Sequence, residues 1–111
     1  MAARTLITAP KTARRGELIE VRTLIAHPME TGYRSDASGA ILPRNILTRL
    51  TVRYADGRDD VEIFSADLYP AIAANPFISF STVATASGTL RFQWDGDNGF
   101  SQTETVAIEV T

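Results

Sequence analysis

Apolar and polar residues alternate with a period of two along most of the chain. Within residues 17–26, ELIEVRTLIA, Ile19 and Val21 fall on one face and Glu20 and Arg22 on the other. Successive side chains of a β-strand point to opposite faces, so this pattern predicts a half-buried strand rather than a helix.

The same alternation recurs in three further segments, whose apolar positions are Leu50, Val52 and Tyr54, then Leu90, Phe92 and Trp94, then Val106, Ile108 and Val110. The dipeptide Asp56-Gly57 and the run DGDNG at 95–99 predict hairpin turns between strands. About seven short strands follow from these signals, near residues 5–9, 17–26, 47–55, 60–66, 77–84, 89–95 and 102–110. We expect an all-β protein with an immunoglobulin-like β-sandwich in a single domain over residues 1–111.

The interval 67–76, DLYPAIAANP, is less regular and predicts a crossover loop with a single helical turn at 70–74. Aromatic residues flank its prolines. For Phe77 and Phe80 we prefer a role in sealing the end of the sandwich, whereas Tyr69 fits sealing and an exposed protein contact equally well. Trp94 alternates with Leu90 and Phe92 and is predicted to lie in the core.

The amino-acid composition argues against several classes of function. The chain has 111 residues and a formal net charge of −2, without a dense basic block, so we expect no nucleic-acid partner. No apolar run approaches the roughly 20 residues of a membrane span. Cysteine is absent, which excludes disulfides, thiol catalysis and thiolate metal sites. The N-terminal residues show no readable signal peptide, which taken alone predicts a cytoplasmic protein.

The lone histidine, His27, is the candidate for chemistry. Met29 and Glu30 follow it closely, and Met29 is a soft ligand that could join His27 in a copper site. Metal sites usually need three or four ligands, however, and the fixed backbone of Pro28 separates these two. These two residues alone therefore do not favour a metal site. No serine lies in a nucleophile motif, so a catalytic triad is not favoured either. We interpret His27 as a loop histidine that bonds to backbone.

Residues 27–45 form a long loop bounded by prolines. Pro28 ends the preceding strand, and Thr31-Gly32 permits a reversal of the backbone. Loops longer than roughly 12–15 residues are usually functional or disordered. Apolar and aromatic residues within this one, Tyr33 among them, indicate that part of it is ordered against another surface.

Four stretches together resemble the SoxZ family. They are IAHPMETGYR at 25–34, Ile41-Leu42-Pro43, NPFISF at 75–80, and Trp94-Asp95 shortly before Asn98-Gly99. The resemblance covers nearly the whole chain from about Thr5, and the HPMETG run is its most specific part.

The resemblance implies a non-catalytic subunit without a cofactor that pairs with SoxY. In that family SoxY carries sulfur intermediates on a cysteine of its C-terminal arm during thiosulfate oxidation, and other Sox enzymes make transient contacts with the complex. It also implies a periplasmic location, reached by export with a signal-bearing SoxY. Because the loop is long, carries Met29 and Tyr33 and has no catalytic set, we expect it to contact SoxY or another Sox enzyme together with an apolar sheet face. The predicted partner-binding residues are His27, Pro28, Met29, Glu30, Thr31, Gly32, Tyr33 and Tyr69.

Three alternatives remain open at the level of sequence. One is a small periplasmic copper protein that uses His27 and Met29. The second is a structural or adhesion sandwich, and the third is a SoxYZ-like carrier subunit that serves a quinoprotein-associated pathway.

Overall fold

The computed structural model describes residues 2–111, most of which lie in two β-sheets. The elements in chain order are β1 (Thr5–Thr8), β2 (Thr12–Ala13), β3 (Leu18–Ile25), β4 (Leu47–Ala55), β5 (Asp60–Asp67), β6 (Phe77–Val83), β7 (Gly88–Gly96), a 3₁₀ turn (Asp97–Gly99) and β8 (Ser101–Val110). The described part of the chain contains no helix long and apolar enough to cross a membrane.

The strands form a sandwich of unequal sheets. One sheet has the order β1-β3-β6 and the other β2-β8-β7-β4-β5. All pairs are antiparallel except β2 with β8, which is parallel. The prediction of an all-β sandwich is therefore confirmed, and each of the seven predicted strands is present.

Two local predictions need correction. The two-residue strand β2 was missed, because so short a segment has no period to read. The helical turn predicted at 70–74 is wrong: the backbone N–H of Ile72 donates to the carbonyl of Tyr69 at 3.0 Å, which closes a single turn after Tyr69. Pro70 lies inside that turn, where its fixed φ is favourable.

The core lies between the sheets and consists of the residues that the alternation placed inward. The side chains of Leu50, Val52, Leu90 and Phe92 are fully buried, and Trp94 is nearly so. The β4 and β7 residues face one another across their shared ladder, with Leu50 opposite Trp94 and Val52 opposite Phe92. Burial of these large apolar side chains supplies the main driving force for folding.

The two sheets also meet at one side of the sandwich. The rings of Phe64 on β5 and Phe80 on β6 stack with centroids 4.4 Å apart, so Phe80 packs between the sheets at their side rather than at the end of the sandwich, where its sealing role was predicted. The same prediction for Phe77 is wrong, since its side chain is 60% exposed. Phe77 lies opposite Leu24 on the outer face of the three-stranded sheet, where Leu24 in turn lies opposite Leu6.

Core truncation tests this arrangement. We expect Phe92→Ala to lower the free energy of unfolding by about 3–5 kcal/mol, because it opens a cavity among fully buried side chains. The neighbouring Gln93 points to the opposite, solvated face, so Gln93→Ala should change stability by less than about 0.5 kcal/mol. Chemical denaturation of both variants measures the difference, and equal effects would contradict the assigned faces.

Candidate functional site

The segment that begins at His27 leaves the end of β3 and is held there by backbone contacts. The backbone N–H of His27 donates to the side-chain oxygen of Asn75 at 2.9 Å. The N–H of Asn75 donates to the carbonyl of His27 at 2.7 Å. This reciprocal pair joins the start of the 27–45 loop to the 68–76 loop that precedes β6. Asn75 has φ 53°, a left-handed conformation that asparagine tolerates better than most residues.

His27 is only 6% exposed, and its ring serves the backbone. The Nδ1 atom accepts a hydrogen bond from the backbone N–H of Met29 at 3.0 Å. The ring packs edge-on against Phe100 with centroids 5.7 Å apart. Burial lowers the pKa of His27, while the nearby Asp97 carboxylate opposes that shift. His27 therefore shapes the loop, as the sequence analysis proposed.

Met29 is buried as well, and its sulfur atom is engaged. Its backbone has φ 50°, which turns the chain back toward the sandwich. The sulfur accepts a hydrogen bond from the backbone N–H of Leu47, the first residue of β4, at 3.2 Å. Because His27 Nδ1 accepts a backbone N–H, the neutral ring carries its proton on Nε2. Copper bound at Nε2 would move that proton to Nδ1 and break the bond from Met29. This arrangement argues against the copper alternative.

Beyond Met29 the loop is a narrow two-stranded excursion, which we call the arm (residues 30–45). Glu30 and Asn45 exchange two backbone hydrogen bonds of 2.8 Å at its base. Farther out, the N–H of Leu42 donates to the carbonyl of Arg34 at 2.8 Å. At the tip, one carboxylate oxygen of Asp36 accepts the backbone N–H of Ser38 at 2.8 Å. These bonds give the arm a defined shape.

An ion pair fixes the base of the arm to the turn between β7 and β8. Arg44 binds Asp97 through two bonds, from Nε to Oδ2 and from Nη2 to Oδ1, each 2.9 Å long. Asp97 Oδ2 also accepts the backbone N–H of Ile46 at 3.1 Å. The Arg44 guanidinium is the main cause of the lowered pKa of Asp97. Gly32 passes so close that an added Cβ would lie 3.1 Å from the Cβ of Arg44.

The predicted partner-binding residues divide into a buried and an accessible group. His27 and Met29 are buried in the described chain. Glu30 is partly buried, and its carboxylate pairs with Arg34 at 2.7 Å. The others are the exposed Pro28 and Tyr33, the partly buried Thr31 and Gly32, and the exposed Tyr69.

The accessible surface at this end of the sandwich includes exposed aromatic side chains among charged and polar ones. Tyr33 on the arm is 88% exposed, and Tyr69 on the neighbouring loop is also exposed. Asn75 brings the two loops together at their bases. Within residues 2–111, the hydroxyl groups of Tyr33 and Tyr69 form no hydrogen bond with another side chain. Two further exposed apolar side chains lie here, Ile41 and Phe77, which are not among the predicted partner-binding residues. The signal for Ile41 in the sequence is the apolar pair Ile41-Leu42 within a polar loop, which indicates that the loop is ordered against another surface.

The chain matches a family model across almost its whole length. The model, described as "Sulphur oxidation protein SoxZ", matches residues 7–107. The chain belongs to the SoxZ family. No curated protein sequence matches it significantly.

Solved structures that resemble this SoxZ-family chain share its fold at low identity. A superoxide reductase (neelaredoxin) from Ignicoccus hospitalis has a TM-score of 0.76 at 18% identity, covering 98% of this chain and 82% of the other. A putative superoxide reductase from Thermotoga maritima has a TM-score of 0.76 at 14% identity, with coverages of 96% and 85%. The sulfur carrier protein SoxY from Chlorobium limicola f thiosulfatophilum has a TM-score of 0.67 at 17% identity, with coverages of 96% and 78%.

The SoxZ-family chain has few of the imidazole and thiolate ligands that redox metals prefer. It contains one histidine and no cysteine. Residues 2–111 bring together no group of three or more His, Asp and Glu side chains that could hold a metal ion. At 18% and 14% identity, the likeness to the superoxide reductases is one of fold alone.

The contact between His27 and Asn75 can be tested by substitution. Asn75→Ala removes the acceptor of a partly buried N–H and places alanine in a left-handed conformation, so we expect a loss of about 2–3 kcal/mol in the free energy of unfolding. Asn75→Gly removes only the hydrogen bond and should cost less.

A matched control isolates the backbone strain. Asn98 has φ 60° at an exposed turn, so Asn98→Ala should cost only about 1 kcal/mol. Urea denaturation of the three variants gives the comparison. If Asn75→Ala is no worse than Asn98→Ala, the bond to His27 contributes nothing measurable.

The buried histidine also predicts a pH dependence. The pKa of His27 lies below its ordinary value of 6.5 in the folded chain and near that value when unfolded. Above about pH 6.5 both states are neutral at this ring. As the pH falls below 6.5, the unfolded state takes up the proton first, so the free energy of unfolding decreases until the pH reaches the folded pKa. The Asp97 carboxylate stays ionised in this window.

An NMR titration of the His27 ring measures the folded pKa directly, and denaturation across the same window should lose its slope in His27→Gln. A ring that titrates at or above pH 6.5 would contradict the burial argument.

Proposed function

We propose that this chain is a non-catalytic subunit of the Sox carrier complex that binds and stabilises SoxY. The observation that carries the proposal is the SoxZ family match over residues 7–107. The fold likeness to a SoxY structure supports a complex of two related sandwiches. In this scheme SoxY holds the sulfur intermediates on its cysteine, and the present chain contributes binding surface.

The arm is suited to protein recognition. Its backbone bonds, the Arg44–Asp97 pair and the buried Met29 fix its shape before binding, which reduces the entropy lost when a partner docks. Tyr33 and Ile41 present large side chains to solvent. Tyrosine in particular is enriched at the energetic centres of protein interfaces.

The residues predicted to bind the partner have two different roles in this proposal. We propose that Tyr33 and Tyr69 contact the partner directly. His27 and Met29 act from the inside, by holding the arm in position. Contacts with other Sox enzymes would use the surface that SoxY leaves exposed.

We further propose that the complex acts in the periplasm, reached by export together with SoxY. The support is family membership. Fractionation of cells that produce both subunits tests it, since recovery of the chain in the cytoplasm in the presence of SoxY would contradict it.

Substitution of Tyr33 tests the arm. We expect Tyr33→Ala to weaken SoxY binding about 10-fold or more, as for a central interface tyrosine, with little change in stability because the side chain is exposed. Calorimetric titration with purified SoxY measures the dissociation constant. Thr103→Ala, on the outer face of β8, is the control and should bind like the unchanged chain.

The two ways in which this experiment can fail have different meanings. Equal binding by Tyr33→Ala and the unchanged chain would remove Tyr33 from the interface. No binding of SoxY by the unchanged chain would overturn the proposed function itself.

A further inference from the structure

The two sheets leave four strands at their edges, and three of these are protected against pairing with another chain. β1 has four residues and β2 has two, which are too short to offer much of a ladder. β5 is longer, but its ladder with β4 shifts register between Val52 and Arg53, and it carries Asp60, Glu62 and Asp67. Short edges, bulges and charges are the usual means by which proteins block edge pairing.

β6 has none of these protections. It spans seven residues, FISFSTV, without a charge or a proline. Its ladder with β3 runs from Leu24–Phe77 to Leu18–Val83 without a shift of register. A regular, uncharged strand at a sheet edge is a template for a further strand.

The phase of the β3–β6 ladder shows which backbone groups are free. Ile25 bonds to the carbonyl of Pro76, and Ala84 bonds to the carbonyl of Glu17, so these opposed pairs are hydrogen-bonded ones. Pairs alternate along an antiparallel ladder, so Ile78, Phe80 and Thr82 bond to β3 while the residues between them point their N–H and C=O outward. The outward set is Phe77, Ser79, Ser81 and Val83.

These four residues are accessible. All four are exposed, and within residues 2–111 no hydrogen bond joins their backbone to a loop or a side chain. Phe77 and Val83 also expose apolar side chains on the outer face. An added strand would therefore find both backbone partners and apolar cross-strand neighbours.

The location of this edge also fits a partner that contacts the arm. Phe77 follows Asn75 and Pro76, and Asn75 bonds to His27 at the base of the 27–45 loop. A single added strand is too small for a stable complex, which needs about 800 Å² per partner. A subunit that lies along β6 and continues onto the arm provides more area.

We propose that β6 pairs with an extended edge strand of the SoxY subunit, so that the three-stranded sheet continues into the partner. This inference rests on the proposed function and adds its mode of binding. SoxY shares the sandwich fold, and therefore has edge strands of its own. Pairing edge to edge would also remove the unprotected edge from solvent.

A proline substitution tests the edge without disturbing the sheet. The N–H of Ser79 points away from β3, so Ser79→Pro leaves the β3–β6 ladder intact and removes an outward donor. We expect it to weaken SoxY binding at least about 10-fold, because an opposing carbonyl loses its partner and the ring obstructs approach. Ser79→Ala keeps the N–H and should bind normally.

The chain offers a matched control on the other long edge. Leu68 bonds to the carbonyl of Thr48, so by the same alternation Ser65 on β5 also directs its N–H outward. Ser65→Pro makes the same chemical change on that edge and should leave SoxY binding unchanged. Thermal unfolding of all three variants checks that they remain folded.

Amide hydrogen exchange provides a second measurement, without substitution. On addition of SoxY to the unchanged chain, the amides of Ser79 and Ser81 should gain protection while that of Ser65 should not. If the unchanged chain binds SoxY but Ser79→Pro binds equally well, or these amides stay unprotected, the edge proposal is overturned and the proposed function stands.

Two other outcomes also oppose the proposal. If the isolated chain forms a dimer that Ser79→Pro abolishes, and SoxY does not protect these amides, the occupant of the edge is a second copy of this chain. If the unchanged chain fails to bind SoxY, the proposed function fails and the edge proposal fails with it.

Discussion

The whole structure depends on one constraint, that each sheet of a sandwich can bury only one of its faces. The alternating positions of β3, β4 and β7 satisfy it by turning their apolar side chains inward. The five-stranded sheet then shows solvent an outer face of polar residues, on which Arg53 and Arg91 both pair with Asp60. The three-stranded sheet is different, since Leu6, Leu24 and Phe77 form an apolar row on its outer face. This asymmetry makes the three-stranded sheet the more suitable of the two for a partner contact.

The same constraint explains why a histidine is buried where the sheet ends. When β3 leaves the sheet at Ile25, its backbone loses ladder partners and must find others, because unpaired buried polar groups are costly. Asn75 and the His27 ring provide them, and no buried side-chain nitrogen or oxygen in residues 2–111 lacks a partner. The arm therefore begins at a base that these hydrogen bonds hold in place. A residue type associated with catalysis serves here as an internal hydrogen-bond acceptor.

The sequence predicted the strands well because period-two alternation is a local signal that records burial directly. It could not show β2, whose pairing with β8 joins Thr12 to Glu109 across the length of the chain. The error at Phe77 was avoidable, since Phe77 and Phe80 are three residues apart on one strand and must point to opposite faces. The candidate site was harder to predict from the sequence. Its HPMETG segment is recognisable, but His27 and Met29 are held by contacts with Asn75 and Leu47, which lie far away in sequence.

An unprotected edge such as β6 is a hazard for a chain that exists alone, because it invites self-association. Selection would remove such an edge with a single charge or proline unless the backbone groups were in use. Its presence beside three protected edges is therefore more readily explained by a partner that covers it than by chance. The same reasoning fits the proposed role of a binding subunit, in which the hydrogen-bonded arm and the free edge of β6 are the surfaces offered to SoxY.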